Sequence, residues 1–169
     1  MPVRIPDAAA LTQLTPAEKK VAEVLVTGAS NIQGAQRLKM RTSTFAIHLG
    51  SIARKFQLTG KAGRPARAHA VLASGQVAPP SAPADVPEFT PAERQLLQAL
   101  AEHTETDDIG KAANVALPAD VRPLITKLAD KAGADNDTHL IGLGHAWGLL
   151  GAGTTGTRSG SSEPVGEAR

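Results

Sequence analysis

A five-residue segment occurs twice in this chain, 75 positions apart. Residues 14–18 read LTPAE and residues 89–93 read FTPAE, so four residues are identical and in the same order. In each segment a Thr is followed three positions later by a Glu, which is the pattern of a helix capping box, and the Pro between them suits the first helical position. An internal repeat at this separation predicts two units of the same architecture in one chain.

The hydrophobic pattern of the first copy predicts four helices. Their expected segments are from Thr15 to Gly28, about 31–38, about 42–56, and from near Pro65 to just before Gly75. The third helix carries an apolar stripe that we expect to face the core, formed by Phe45, Leu49, Ile52 and Phe56. Gly34 lies inside the second helix, where a glycine costs about 1 kcal/mol relative to alanine.

The second copy predicts the same order of helices, with a helix after Thr90 followed by helices near 107–113, 121–132 and 138–150. Pro123 falls in the third of these. Because proline is tolerated only in the first turn of a helix, we expect that helix to start late and to be short. The predicted fold class is therefore all-α, with two tandem small four-helix domains at 14–75 and 89–150.

Three other segments complete the predicted organisation. Residues 76–88 contain four prolines with Ser and Ala, which predicts a stiff, extended linker that does not pack. Residues 1–13 form an N-terminal arm. Residues 151–169 are rich in Gly, Ser and Thr, and we expect this tail to be disordered.

Charge is divided unequally between the two copies. Residues 1–77 hold eleven Lys and Arg against three Asp and Glu, a net charge of +8. Residues 78–150 hold five Lys and Arg against eleven Asp and Glu, a net charge of −6. A basic half indicates a nucleic-acid partner, and an acidic half would be repelled by the same polyanion. We expect the two copies to do different jobs.

Several classes of function find no support in the sequence. The chain has no cysteine, so disulfides and thiolate metal sites are excluded. His139 and His145 are a poor ligand pair, and the glycine pattern at 151–156 follows a helix instead of the strand that a dinucleotide site needs. No catalytic constellation stands out, so we expect no enzyme activity, cofactor, metal or small-molecule ligand. No segment resembles a membrane span or a signal peptide, and we expect a cytoplasmic protein.

The first copy carries a long set of residues at fixed spacing, without a gap: Leu14, Thr15, Glu18, Val21, Gly28, Ser30, Asn31, Ala35, Leu38, Met40, Thr44, Phe45, His48, Ile52, Lys55 and Phe56. In this it resembles the LuxR-type (FixJ/NarL-like) helix-turn-helix DNA-binding family. Ala22, Gly34 and Arg41 depart from the family pattern. The second copy also resembles the family, as a degenerate copy with one inserted residue before its third helix, and its best-matched stretch is 135–150.

This resemblance implies binding to double-stranded DNA, with the third helix of the first copy in the major groove and the second helix bracing it. The implied DNA-binding residues are Lys39, Arg41, Thr42, Ser43, Thr44, Ala46, Ile47, Gly50, Ser51, Arg54 and Lys55. Lys61, Arg64 and Arg67 are further candidates for contacts to phosphates. Family members usually carry a basic side chain where Ala46 or Gly50 stands, so we expect affinity dominated by phosphates and modest sequence discrimination.

The last helix of the second copy carries an apolar side formed by Leu140, Leu143, Trp147 and Leu150. This side predicts a dimer or partner seam, because the family often pairs through its fourth helix; core packing is the alternative.

The sequence thus favours a nucleoid-associated transcriptional regulator, with a DNA-binding first copy and a second copy for dimerisation or partner binding. Two alternatives remain: an adaptor to the transcription machinery with little direct DNA binding, and a pseudo-dimer in which both copies contact DNA.

Overall fold

The computed structural model describes residues 13–58 and 63–150, and every regular element within these ranges is an α-helix. The eight described helices are α1 (Pro16–Leu25), α2 (Asn31–Arg37), α3 (Thr42–Lys55), α4 (Arg64–Ala73), α5 (Pro91–Glu102), α6 (Thr106–Ala112), α7 (Pro118–Ala132) and α8 (Asp137–Ala146). We call α1–α4 the first unit and α5–α8 the second unit. The predicted all-α fold is confirmed. The predicted tail and most of the N-terminal arm lie outside the described residues.

Each unit begins with the capping box that its sequence predicts. The Thr15 hydroxyl accepts a hydrogen bond from the Glu18 backbone N–H at 3.1 Å, and the Glu18 carboxylate accepts one from the Thr15 backbone N–H at 2.9 Å. Thr90 and Glu93 make the same two bonds at 3.1 and 2.9 Å. These bonds satisfy backbone donors that a helix start otherwise leaves without partners, which explains why both helices begin at the following Pro.

Backbone conformation also repeats between the units. Lys39 and Asn114, which are 75 positions apart, both have positive φ angles, 55° and 60°, in the turn before the third helix of their units. Gln57 and Gly133, which are 76 positions apart, have φ angles of 56° and 72° just after that helix. The two separations differ by one residue, which is the insertion expected before α7. Positions of the two units can therefore be compared one by one through their first three helices.

The buried residues of both units form one continuous core, and the fourth helices α4 and α8 pack against each other at its centre. Helix α8 also approaches the end of α1 closely, and this approach depends on Gly142, because a Cβ there would overlap the backbone carbonyl of Val26 and the ring of Pro80. A second link lies nearby, where the Asn136 side-chain amide donates to the Gly28 carbonyl at 2.8 Å.

This packing corrects the predicted dimer seam on α8. Leu140, Leu143 and Leu150 are buried inside the chain, and Trp147 is partly buried against Phe89 with 5.9 Å between ring centroids. The alternative interpretation, core packing, is the one that the structure supports. The glycines of α8 allow close approach to the first unit and to the rest of the second unit instead of to a second chain.

A histidine pair sits between the fourth helices. The Nδ1 atom of His69 and the Nε2 atom of His145 are 2.9 Å apart, and the two rings are tilted by 41°. Burial lowers the pKa of both histidines, and the neighbouring His69 lowers the pKa of His145 further, to about 4. When both imidazoles are neutral, one ring can donate its N–H to the unprotonated nitrogen of the other. This hydrogen bond joins the two units at neutral pH.

The segment between the units is packed, contrary to the expectation of a linker that does not pack. Residues 76–88 contain no helix or strand, yet Val77 is buried and Pro80 lies against Gly142. The indole N–H of Trp147 donates to the Pro83 carbonyl at 3.1 Å. The segment is therefore held at Pro80 against α8 and at Pro83 against Trp147, the residue that follows α8.

The prediction of a late, short third helix in the second unit was wrong. Helix α7 has 15 residues and starts at Pro118, with Pro123 in its second turn. An internal proline costs about 3 kcal/mol through its missing N–H and its clash with the preceding turn. Burial of Val121, Ile125 and Leu128 on one face of α7 offsets that cost, because burying one such side chain contributes about 1.5–3 kcal/mol.

Candidate nucleic-acid interface

Helices α2 and α3 form a helix-turn-helix in the first unit, and Gly34 lets them pack closely. A Cβ at Gly34 would overlap the ring of Phe45, which is fully buried on α3. The turn between the helices is closed by the Met40 backbone N–H, which donates to the Ala35 carbonyl at 3.0 Å. The glycine that departs from the family pattern is thus explained by the ring that it accommodates.

Helix α3 exposes one ridge that no other part of the described chain covers. Its residues recur at helical spacing along the side opposite the core: Ser43, Ala46, Ile47, Gly50 and Arg54. Ile47 is 67% exposed, and a Cβ at Gly50 would meet nothing within 4 Å. The ridge is about 16 Å long at the rise of an α-helix, and its middle is uncharged and made of small side chains around one isoleucine.

Positive charge lies at both ends of this ridge. Lys39 and Arg41 are exposed in the turn before α3, and Arg54 is exposed in its last turn. Lys20 and Arg37 line a groove beside the same turn, together with Lys39. Sequence reasoning missed Lys20 and Arg37; a position-by-position comparison of the two copies would have found them, because the second copy has a neutral residue at each place.

Lys55 has a partner inside the chain, which revises its predicted role. Its ammonium lies 2.5 Å from the Glu18 carboxylate and donates to the Gln13 carbonyl at 3.1 Å. Burial of Glu18, which is 4% exposed, would raise its pKa, but hydrogen bonds from Lys55, the Thr15 backbone N–H and Ser51 outweigh burial and lower the pKa to about 2. Lys55 therefore fastens α3 to α1, and its charge is already balanced.

Of the predicted cations beyond α3, Arg64 has partners inside the chain, whereas Arg67 is partly buried and its buried Nε atom has no hydrogen-bond partner. Arg64 donates to the Asn31 side-chain carbonyl at 2.5 Å and to the Ala29 carbonyl, so it ties α4 to the start of α2. Burial and the nearby charge of Arg67 lower the pKa of Arg64. Lys61 lies outside the described residues. Thr42 is exposed at the start of α3, whereas Thr44 and Ser51 are partly buried.

The second unit repeats the internal ion pair of the first. Lys131 lies 2.7 Å from the Glu93 carboxylate, and these residues are 76 and 75 positions after Lys55 and Glu18. The recurrence of both residues at the repeat spacing is a sequence signal that could have predicted the two bridges. An interaction kept in both units at equivalent places serves the packing of the unit, which supports the structural role of Lys55.

The exposed cations of the first unit, in contrast, have no basic counterparts in the second. At five equivalent positions the first unit has a basic residue and the second unit has a neutral or acidic one. In the first unit these are Lys20, Arg37, Lys39, Arg41 and Arg54, and their counterparts are Gln95, Ala112, Asn114, Leu117 and Asp130. Arg41 and Leu117 are compared as the residues preceding α3 and α7. The second unit has the same helical frame and the same internal bridge but no basic residue at these five positions. Two exposed cations of α7, Arg122 and Lys127, stand where the first unit has Ala46 and Ser51.

The equivalent of the α3 ridge on α7 lies in a cleft between the units. Arg122 and Thr126 correspond to Ala46 and Gly50, and they line this cleft together with Ser30 of the first unit. Arg122 is bonded to both carboxylate oxygens of Asp137, at 2.9 and 2.8 Å. The charge of Arg122 is therefore balanced within the second unit.

Comparison with known proteins identifies one matching family. Residues 12–63 match the family described as "Bacterial regulatory proteins, luxR family", a range that contains α1, α2 and α3. No curated protein and no solved structure matches the chain. The match indicates a DNA-binding transcription regulator with a LuxR-type helix-turn-helix, from a family of regulators and not of enzymes.

The described residues hold neither a membrane span nor a metal cluster. Within 13–58 and 63–150 no helix has both the length and the apolar character needed to cross a membrane. The same ranges hold no group of three or more histidine, aspartate or glutamate side chains arranged to bind a metal ion.

Proposed function

We propose that the chain regulates transcription by binding duplex DNA through its first unit, residues 14–75, with α3 in the major groove. In this proposal the second unit, residues 89–150, is a degenerate copy of the same helix-turn-helix domain. It serves association with a protein partner or a second chain and makes no contact with DNA. The protein acts in the cytoplasm, on the nucleoid.

The observation that carries the proposal is the distribution of exposed cations around the third helices. Lys39, Arg41 and Arg54 flank an uncovered ridge in the first unit, and the equivalent positions of the second unit are neutral or acidic. A duplex carries closely spaced phosphates on both sides of its major groove, so charges at both ends of an inserted helix can contact them. The loss of the same charges from a packed copy argues that they serve binding and not folding.

The proposed contacts follow from position along the ridge. Lys39, Arg41 and Arg54 neutralise phosphates, as do Lys20 and Arg37 beside the turn before α3. Thr42 contributes a hydroxyl and a helix-start N–H to the same backbone. Ala46 and Ile47 pack on thymine methyl groups, while Ser43 and Gly50 allow α3 to approach the bases. Thr44 and Ser51 lie at the margins of this surface, and Lys55 contributes only its position in the frame.

This arrangement supports modest discrimination among DNA sequences. None of the four residues in the middle of the ridge, Ser43, Ala46, Ile47 and Gly50, can make the two-bonded contact by which Arg or Asn recognises guanine or adenine. We expect affinity to come mainly from phosphates, with a preference for thymine-containing sites that Ile47 confers.

The test compares two exposed arginines, one in each unit. Arg54→Ala removes a proposed phosphate contact, and Arg94→Ala removes an exposed arginine of α5 that the proposal places away from DNA. Binding of each full-length variant to a labelled random duplex is measured by fluorescence anisotropy over a series of salt concentrations. We expect Arg54→Ala to weaken binding several-fold and to reduce the salt slope by about 0.9, and Arg94→Ala to change neither.

Two outcomes would contradict the proposal, and each favours one alternative. Equal losses for both variants would favour a pseudo-dimer in which both units contact DNA. An affinity of Arg54→Ala equal to that of the unmodified chain would favour a protein–protein adaptor. So would the absence of detectable DNA binding by either protein.

A further inference from the structure

Helix α7 carries a second exposed stripe, on the side away from the cleft between the units. The stripe starts at Leu117, the residue that precedes α7, and continues on the helix at alternating spacings of three and four positions, with Asp120, Leu124, Lys127 and Lys131. Leu117 is 59% exposed and Leu124 is 39% exposed. Alternate spacing of three and four is the pattern with which one helix packs along another.

The stripe borders an apolar groove between α5 and α7, with a volume of about 370 Å³. Ala92, Leu96, Val115 and Leu128 line the groove beside Leu124. At the equivalent positions of the first unit the stripe is polar throughout, with Arg41, Thr44, His48, Ser51 and Lys55. Two exposed leucines, Leu117 and Leu124, therefore distinguish the second unit from the first at these positions.

The order of charges along the stripe makes it complementary to itself. Asp120 lies on one side of Leu124 and Lys127 lies at nearly the same distance on the other side. If two such helices run antiparallel and cross at Leu124, each aspartate faces a lysine of the other helix. A two-fold interface requires this property, because the same patch must serve on both subunits.

We propose that a second copy of the chain docks on this stripe, with α7 antiparallel to α7 of the partner and the two Leu124 side chains at the two-fold axis. Asp120 then pairs with the partner's Lys127, and Lys127 pairs with the partner's Asp120. The leucines lose their exposure to water, which is the driving force of such contacts, and the charges fix the antiparallel direction. The proposal rests on the association role proposed above for the second unit.

A homodimer of this kind would carry two first units, and so two α3 ridges. The predicted seam on α8 cannot supply this dimer, because its leucines are buried within one chain. On the α7 stripe, in contrast, Leu117 and Leu124 are exposed.

The test uses charge reversal in the full-length chain and is run without DNA, so its failure is distinct from a failure of DNA binding. Sedimentation equilibrium is measured for D120K, for K127D, for D120K/K127D and for an equimolar mixture of the two single variants. Each single reversal should raise the dimer dissociation constant at least about tenfold, because both symmetry-related pairs become repulsive. The double variant and the mixture should recover dimerisation. Asp108→Lys, an exposed reversal on α6, is the matched control and should change nothing.

A cross-linking measurement keeps the proposal testable if a reversal disturbs folding. The chain has no cysteine, so Leu124→Cys introduces a single thiol at the proposed axis. Under mild oxidation it should form a disulfide-linked dimer, whereas Ala119→Cys, on another exposed side of α7, should not. A wild-type chain that stays monomeric at 100 µM (about the upper range for a specific dimer) would overturn the proposal. So would a double reversal that folds but does not recover dimerisation, or equal cross-linking of the two cysteine variants.

Discussion

The buried carboxylate of Glu18 should make the stability of the chain depend on pH in a defined range. Its pKa in the folded protein is about 2, against an ordinary value of 4.5. A carboxylate whose pKa is lowered by folding stabilises the folded state above its ordinary pKa, and that stability is lost as the pH falls towards the folded pKa. The contribution should therefore be complete above pH 5 and should disappear between about pH 4.5 and pH 2.

The size of the effect follows from the same shift. A difference of about 2.5 pKa units corresponds to about 3 kcal/mol at 1.36 kcal/mol per unit. Glu18→Gln keeps the shape of the side chain and its capping hydrogen bond but removes the charge that faces Lys55. We expect this variant to unfold about 3 kcal/mol more easily than the wild type at pH 7 and to match it near pH 2.

Urea unfolding at a series of pH values measures this difference, with far-UV circular dichroism and the fluorescence of the one tryptophan as probes. Glu93→Gln is the matched control, because Glu93 forms the same bridge in the second unit, where both partners are about one-third exposed. Its effect should stay within about 1 kcal/mol. A Glu18→Gln effect that is the same at pH 7 and pH 2, or smaller than that of Glu93→Gln, would refute this account of the bridge.

Three further predictions concern close packing and the division between folding and binding residues. Gly34→Ala should destabilise the chain by about 1–3 kcal/mol in urea unfolding, because the Phe45 ring occupies the space of the new Cβ. Gly50→Ala should stabilise it by up to about 1 kcal/mol, because that Cβ meets no atom and alanine favours the helix. The opposite order would contradict the α2–α3 packing. Gly142→Ala should lower the melting temperature by several degrees in a calorimetric scan, because it overlaps the first unit, and an unchanged melting temperature would contradict the contact between the units. Lys55→Ala should reduce stability by about 1–3 kcal/mol while leaving the salt slope of DNA binding unchanged; a reduced slope with normal stability would return Lys55 to the interface.

Local sequence patterns predicted the helices well, since the signals that start and end them lie within a few residues. The Thr–Glu capping pairs fixed the starts of α1 and α5. The apolar stripe of Phe45, Leu49 and Ile52 fixed the buried face of α3, and with it the exposed ridge. The location of the candidate interface on α3 could therefore be predicted before any contact was known.

Features that depend on contacts between distant segments could not be predicted in this way. The leucines of α8 form the same pattern whether they face a second chain or α4, and only the packing of the two units decides between these. Lys55 looks like any basic residue on a DNA-binding helix until Glu18, 37 positions earlier, is found beside it. The local cost of Pro123 predicts a short helix, although burial of other α7 side chains outweighs that cost.

The central claim is that the first unit binds duplex DNA by neutralising phosphates with a small set of exposed cations. The most direct test is the affinity of the full-length chain for a random duplex as a function of salt concentration. Contacts from Lys20, Arg37, Lys39, Arg41 and Arg54 predict about five phosphates neutralised per chain, and so a slope of about −4 to −5 in log affinity against log salt. A slope near zero, or no detectable binding at low salt, would contradict the account.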